Sequence, residues 1–149
     1  MPRHAERKHL PYRAVDMFDL VADVGSYPDF LPWCRGARIR TRTETLLVAD
    51  LIIGFKGVTE KFTSRVQLDR ENLAIQTNYE DGPFKYLESH WKFVSYDGPP
   101  SGCEVDFYVD FEFRSRLLQA MIGLVFAEAV RRMVGAFEAR AEELYGLQT

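Results

Sequence analysis

The side chains that could carry out acid–base chemistry fall mainly on one face of one predicted strand. Glu88, His90 and Lys92 alternate with apolar or small residues in the segment 84–96. Successive side chains of a strand point to opposite faces, so the charged set shares one face and the apolar set shares the other. The apolar face must be buried, which leaves the histidine and the carboxylate in water. Because a catalytic acid or base needs an inward position with a shifted pKa, the sequence predicts no catalytic residue.

Thiol, metal and phosphate chemistry have no supporting pattern either. Cys34 and Cys103 are far apart, without CxxC or Cys/His spacing, and His4 and His9 lie near the start of the chain. The glycines fall singly at turn signals, so no phosphate-binding loop is present. We expect two reduced structural thiols, no disulfide, no metal and no required cofactor.

Hydrophobic periodicity indicates the elements that must position any site. A first strand covers 5–10, a helix covers 12–24, and the proline-interrupted segment 27–34 can hold only a short helical turn. The segment 27–34 is rich in aromatic residues and is interpreted as a plug against the sheet or as the lid of a pocket. Alternating strands then cover 37–43, 46–56, 58–68, 73–79, 84–96 and 105–113, and a helix covers 115 to about 145.

The order of these elements predicts an α+β fold. Short strands joined by turns must form an antiparallel meander, because parallel crossovers would need helices between the strands. We predict a seven-stranded curved antiparallel sheet around a long C-terminal helix, with two short helices after the first strand. The long helix would measure ~46 Å, enough to cross the sheet. The chain of 149 residues, 46% hydrophobic, fits a single domain over 1–149.

The junction between the last strand and the long helix favours a cavity. The helix carries flexible or small residues, including Met121, Met133, Gly123 and Gly135, that would pack loosely against the sheet. The alternative interpretation of the same residues is ordinary core packing. The candidate ligand-binding residues are Leu51, Ile53, Phe62, Ser64, Val66, Trp91, Phe107, Val109, Phe111, Met121, Val125 and Met133.

Charge and hydropathy limit the partners. The net charge of -3 argues against DNA binding. Arg38, Arg40 and Arg42 alternate along one predicted strand face, and we expect a solvated face; an RNA-contacting patch is the alternative. The start of the chain lacks the pattern of a secretory signal, and the apolar segment 117–126 is too short to span a bilayer. We therefore expect a cytoplasmic protein, with a peripheral position at the inner membrane as a further option.

Several strings resemble one known family. They are DVGSYPDFLPWC at 23–34, FTSRV at 62–66, GPFKYL at 82–87, WKF at 91–93, DFEF at 110–113 and MVGAFEARA at 133–141. In this order they are similar to the coenzyme Q-binding branch of the START and polyketide-cyclase superfamily. That branch also includes proteins described as ribosome-association toxins.

The resemblance implies a helix-grip fold, START-like or Bet v 1-like, with a lipid groove between sheet and helix. It also implies non-catalytic binding of a polyisoprenoid quinone such as ubiquinone, or of a similar lipid, in support of respiratory electron transport or quinone biosynthesis. Transient membrane contact would accompany that role. Donors to the quinone oxygens would come from Ser64, Ser89, Tyr79, Trp91 or Arg65, and the sequence does not choose among them.

Two other functions stay open. The toxin-named members imply a factor that binds the large ribosomal subunit, which would need a contiguous basic face. The cyclase members imply a polyketide cyclase-like enzyme, for which the sequence offers no inward acid or base.

Overall fold

The computed structural model describes residues 3–55, 58–96 and 102–145. The strands are β1 (Arg3–Leu10), β2 (Cys34–Arg42), β3 (Leu46–Phe55), β4 (Val58–Asp69), β5 (Ala74–Asp81), β6 (Phe84–Tyr96) and β7 (Gly102–Phe113). Helix α1 (Ala14–Ala22) and a 3-10 helix (Val24–Asp29) follow β1, and the long helix α2 (Arg116–Tyr145) follows β7. The predicted element order is confirmed. The predicted turn between β6 and β7 lies outside the described residues.

One antiparallel sheet contains all seven described strands, in the order β1-β7-β6-β5-β4-β3-β2. Strands β2 to β7 form a meander, and β1 pairs with β7, so the first strand lies beside the last. A sheet of this size twists and curls, which gives it one concave face. That face carries the apolar residues of the predicted alternation, and α2 lies across it.

A tight turn between β5 and β6 requires glycine. Gly82 has φ 143°, a region that side chains rarely adopt, and a Cβ there would come within 2.6 Å of the Cβ of Phe62. This turn brings the start of β6 next to β4. It thereby places Phe84 against Phe62, with ring centroids 5.2 Å apart.

A solid core fills the end of the molecule where α1 lies. Met17, Phe18 and Val21 of α1 are almost completely buried, as are Ile75 and Phe93 of the sheet. The Phe18 and Phe93 rings meet edge to face at 6.3 Å. Among the described residues, no helix has both the length and the hydropathy needed to cross a membrane.

The convex face of the sheet holds a buried carboxylate. Asp50 on β3 is 2% exposed, accepts a hydrogen bond from the Thr63 hydroxyl at 2.6 Å, and accepts another from Arg40 Nε at 2.7 Å. The Thr63 hydrogen bond is the largest cause of a pKa below the ordinary aspartate value, with Arg40 and Lys61 contributing. The folded state therefore favours the charged form of Asp50.

The expectation of a single arginine face on β2 is wrong for Arg42. A bulge interrupts the register between Ile39 and Thr41, so that Arg38 lies opposite Asp50 while Arg42 lies opposite Leu47. Directly opposed residues share a face, and Leu47 belongs to the core. The extra residue of the bulge reverses the alternation, which no propensity in the sequence indicated.

Replacing Asp50 tests this network. We expect Asp50→Asn to lower the free energy of unfolding by about 1–2 kcal/mol at about pH 7, because a charged acceptor is lost. The pKa of Asp50 is lowered in the folded state, so its stabilisation is full above the unfolded value of 3.8 and is lost as pH falls through the folded value. The difference in free energy of unfolding between wild type and Asp50→Asn, measured by urea denaturation, should therefore shrink below about pH 4. Asp29→Asn, at an exposed position, is the control; a deficit for Asp50→Asn that does not change with pH would contradict the assignment.

Candidate ligand cavity

A cavity separates the concave face of the sheet from the part of α2 between Leu118 and Phe137. It has two lobes with volumes of about 230 and 290 Å³, and eight residues line both lobes. The shared residues are Trp33, Ile53, Phe62, Leu87, Val109, Phe111, Ile122 and Ala129. Because eight residues line both lobes, the two spaces adjoin, and their combined volume is typical of a small-molecule site.

The cavity exists because α2 is packed tightly only toward the end of its second half, from Phe137 onward. Phe137 of α2 meets the rings of Tyr27, Phe30 and Trp91 edge to face, at 5.5, 5.3 and 5.2 Å. Further along, Ala141 is fully buried and the Tyr145 hydroxyl donates to the Asp16 carbonyl at 3.2 Å. This half of the helix is therefore fixed to both the sheet and α1.

The first half of α2 is held mainly at the N-terminal end of the helix, by two hydrogen bonds. The Ser115 hydroxyl accepts from the backbone N–H of Leu118 at 3.2 Å, and Gln119 Oε1 accepts from the N–H of Phe113 at 2.8 Å. In the middle of the helix, Ala129 offers only a methyl group toward the sheet. The space that a larger side chain would fill is part of the cavity.

Aromatic rings form the wall of the lobe next to the start of α2, called the outer lobe here. Phe84 is stacked on Phe113 at 4.7 Å and meets Phe62 and Phe111 edge to face at 5.2 and 5.8 Å. Interlocked rings are stiff, because each has few rotamers and several partners. On the helix side this lobe is closed by Leu118, Met121 and Ile122.

The other lobe, called the inner lobe here, lies beneath the middle of α2 and contains the polar atoms. Its floor is Trp91, whose ring lies 4.3 Å from that of Phe107. Three hydroxyl-bearing residues from neighbouring strands line it: Ser64 on β4, Thr77 on β5 and Ser89 on β6. The outer lobe has no hydroxyl group among its described lining residues.

The cavity has little capacity for ionic or nucleophilic chemistry. Glu60, in the outer lobe, is the one charged residue among the described lining residues. Burial raises the pKa of the Cys34 thiol, so it stays protonated and is a poor nucleophile. Burial also raises the pKa of Tyr27, whose hydroxyl donates to the Val21 carbonyl. The arrangement suits a neutral apolar molecule.

Ten of the twelve candidate ligand-binding residues line the cavity. Leu51, Ser64, Trp91, Phe107 and Met133 line the inner lobe, Met121 lines the outer lobe, and Ile53, Phe62, Val109 and Phe111 line both. Val66 does not belong to this lining: it shares the inward face of β4 but lies in the packed core, 3% exposed. The side chain of Val125 lies outside the described residues.

Sequence reasoning missed the residues that depend on a break in the alternation of β6. Strict alternation from Leu87 would place Lys85 inside and Phe84 outside. A bulge between Phe84 and Tyr86 reverses this, so Phe84 lines the outer lobe and Lys85 pairs with Glu112 at 2.8 Å. The sequence offered one signal of this bulge: Phe84 occupies a position where strict alternation requires a polar residue.

The aromatic segment before β2 contributes to the lining. Tyr27, Leu31 and Cys34 line the inner lobe, and Trp33 lines both lobes. The Trp33 indole N–H points to the carbonyl of Ala129 on α2 at 3.4 Å. The segment therefore closes the cavity at the side of β2, while its Tyr27 and Phe30 rings also pack against Phe137 of α2.

The acid–base candidates of β6 lie on the convex face. Glu88 is opposite Asp110 of β7, and the His90 ring is stacked on that of Tyr108 at 4.8 Å. Both are exposed and neither lines the cavity. Within the described ranges, no group of three His, Cys, Asp or Glu residues is placed to hold a metal ion.

Comparisons with known proteins agree with this geometry. Residues 10–138 match a family described as polyketide cyclase / dehydrase and lipid transport. The chain is 41% identical over 140 residues to the ribosome association toxin RatA of Rickettsia prowazekii, covering 92% of this chain and 94% of that protein. It is 34% identical over 146 residues to the mitochondrial coenzyme Q-binding protein COQ10 homolog B of Xenopus laevis, covering 97% of this chain and 60% of that protein.

A solved structure extends the likeness to three dimensions. The solution structure of an 18 kDa protein from Caulobacter crescentus matches with a TM-score of 0.76 at 36% identity, covering 98% of this chain and 99% of that chain. The START-like helix-grip fold predicted from the sequence is thus confirmed. By its match over residues 10–138 and its identity to relatives along nearly its whole length, the chain belongs to the polyketide cyclase/dehydrase and lipid transport family.

Proposed function

We propose that this protein holds a polyisoprenoid quinone, or a similar neutral lipid, in the cavity beneath α2 and catalyses no reaction on it. The observation that carries the proposal is the mainly apolar character of the lining, in which the described residues include one charged side chain, Glu60, in the outer lobe, and none in the inner lobe. A ligand of this kind would support respiratory electron transport or quinone synthesis. The coenzyme Q-binding name of one relative supports the choice of quinone.

Burial of the apolar chain would supply the affinity. Each Å² of apolar surface removed from water contributes about 25 cal/mol, so a prenyl chain needs no charged anchor. The Trp91 and Phe107 rings of the inner lobe also offer flat surfaces for a quinone ring. The two lobes can hold the quinone head group and the first part of its prenyl chain. The rest of a longer prenyl chain would continue past the start of α2.

The absence of catalysis is supported by the ionisation of the cavity groups. The raised pKa values of Cys34 and Tyr27 keep both groups protonated and weak as bases or nucleophiles near neutral pH. His90 and Glu88 lie on the other face of the sheet. Neither of these two cavity groups is therefore suited to act as a general base near neutral pH.

Extraction of bound lipid tests the proposal. We expect protein purified from its native host to release a quinone into organic solvent, identified by ultraviolet absorbance and mass spectrometry. Repeated recovery of protein without any apolar small molecule would contradict it.

Filling the cavity should separate binding from stability. Ala129 lines both lobes, so Ala129→Phe places a ring in the space where the ligand would lie. We expect retained lipid to fall by at least about tenfold, because overpacking by a ring and a ligand costs more than 1 kcal/mol. The thermal midpoint of the empty protein should stay the same or rise.

Ala127→Phe provides the matched control for this substitution. Ala127 lies on the exposed face of the same helix, so an added ring there should leave lipid retention unchanged. Equal lipid content in both variants would place the ligand elsewhere.

Exposed leucines beside the cavity offer a route for exchange with a membrane. Leu117 and Leu124 are 73% and 88% exposed, and they lie seven residues apart on one face of α2. Met121, which lines the outer lobe, lies between them on the helix surface. An apolar surface therefore continues from the cavity to the outside of the protein.

The charges around these leucines suit an anionic membrane. Arg114 and Arg116 are exposed at the start of α2, and its first turn carries no acidic residue. The start of a helix is the positive end of its dipole, so two arginines there are unfavourable unless an anion faces them. We propose that this edge contacts a bilayer that contains anionic phospholipid.

Vesicle binding tests the membrane edge. We expect the double variant Leu117→Ser/Leu124→Ser to bind phosphatidylglycerol-containing vesicles about tenfold more weakly in a sedimentation assay, because two inserted apolar side chains are lost. Lipid already held in the cavity should remain. Leu144→Ser, at an exposed leucine near the other end of α2, should bind vesicles as wild type does. Equal losses in both variants would contradict the assignment.

A second candidate function rests on a basic area of the convex face. Arg38 and Arg40 lie on β2, Lys61 and Arg65 lie on β4, β3 runs between the two strands, and all four side chains are exposed. Asp50 neutralises part of this charge through Arg40 and Lys61. Arg38 and Arg65 have no carboxylate within ion-pair distance in the described part of the chain. With the RatA names of relatives, this area supports binding to the large ribosomal subunit.

Charge reversal on the basic area tests this candidate. If the area binds ribosomal RNA, Arg38→Glu/Arg65→Glu should weaken cosedimentation with large subunits by at least about tenfold and flatten its dependence on salt. Lys92→Glu, exposed on β6, is the control. Unchanged cosedimentation of the double variant would remove the basic area from the interaction.

A further inference from the structure

One hydroxyl at the cavity lacks any partner. Ser64 is 1% exposed, and its Oγ has no hydrogen bond. Buried hydroxyls are almost always hydrogen-bonded, and a buried one without a partner needs an explanation. A ligand that supplies the missing partner is one such explanation.

The position of Ser64 points to the inner lobe. It lies on the inward face of β4, opposite Ala49 of β3 and Tyr79 of β5, and its residue is part of the lining of that lobe. The hydroxyl can take any of three staggered positions by rotation about χ1. It can therefore turn toward an atom placed in the lobe without any movement of the backbone.

Among the other donors considered for a quinone oxygen, Tyr79 is already used and Arg65 lies elsewhere. Ser89 and Trp91 line the inner lobe but are less buried than Ser64. The Tyr79 hydroxyl donates to the carbonyl of Gly82 at the β5–β6 turn. Arg65 is exposed and lies on the opposite face of β4 from Ser64. Thr77 and Ser89 line the inner lobe but are only partly buried, so water can satisfy them when the cavity is empty.

We infer that the Ser64 hydroxyl donates a hydrogen bond to an uncharged carbonyl oxygen of the bound lipid. The inference rests on the proposed function and adds an orientation to it. The carbonyl head lies in the inner lobe beside Ser64, and the chain runs through the outer lobe past Met121 toward Leu117 and Leu124. A charged head does not fit, because no charged residue is among the described residues that line the inner lobe.

Two ligands that differ only in their oxygens test the inference. The first is a short-chain ubiquinone, and the second is a prenyl hydrocarbon of matched carbon number without oxygen. Each competes with a fluorescent fatty probe for delipidated wild type and for Ser64→Ala. We expect Ser64→Ala to bind the quinone about tenfold more weakly and the hydrocarbon with unchanged affinity.

Stability gives a second readout. Loss of an unpaired hydroxyl should leave the thermal midpoint of the empty protein unchanged or higher, so weaker quinone binding would not reflect misfolding. Ser95→Ala, exposed at the end of β6, should match wild type with both ligands.

The outcomes separate this inference from the proposed function. Equal quinone affinity in wild type and Ser64→Ala would overturn the role of Ser64 while leaving lipid binding in place. Equal weakening for quinone and hydrocarbon would also overturn it, because the loss would then not depend on oxygen. If wild type bound neither ligand, the proposed function would fail and the inference with it.

Discussion

The unequal packing of α2 along its length is the constraint on which the rest of the structure depends. Phe137, Ala141 and Tyr145 fix the second half of the helix to the aromatic segment, the sheet and α1. A helix that crosses a curved sheet leaves space beneath it unless large side chains fill the gap. Here the helix offers Ala129 and flexible methionines instead, so a cavity remains.

The two faces of the sheet also differ in charge. Ionic interactions are concentrated on the convex face and at the edges of the sheet, where Asp50 is paired and Lys85 meets Glu112. The described lining of the cavity is mainly rings and aliphatic side chains, with the hydroxyls of Ser64, Thr77 and Ser89 in the inner lobe and one carboxylate, Glu60, in the outer lobe. A site of this composition can bind a ligand by burying apolar area and can orient it with one hydrogen bond.

Much of the fold could be predicted from the sequence, because alternation and helical periodicity are strong in β7 and α2. The same alternation placed Trp91, Phe107 and Phe111 on the inward face. Alternation failed at two bulges, where a strand contains one extra residue. In β6 the bulge at Lys85 turns Phe84 inward, and in β2 the bulge near Arg40 places Arg42 on the opposite face from Arg38. Periodicity also could not distinguish cavity from core, so Val66 was included although it is packed. That distinction depends on where α2 separates from the sheet.

The most direct test of the central claim is hydrogen exchange of the amides of α2 in delipidated protein, with and without added short-chain ubiquinone. A ligand in this cavity should slow exchange over residues 116–133 and leave 138–145, which lie beyond the cavity lining, nearly unchanged. Protection confined to the second half or to the convex face, or no change anywhere in α2, would contradict a ligand in this cavity.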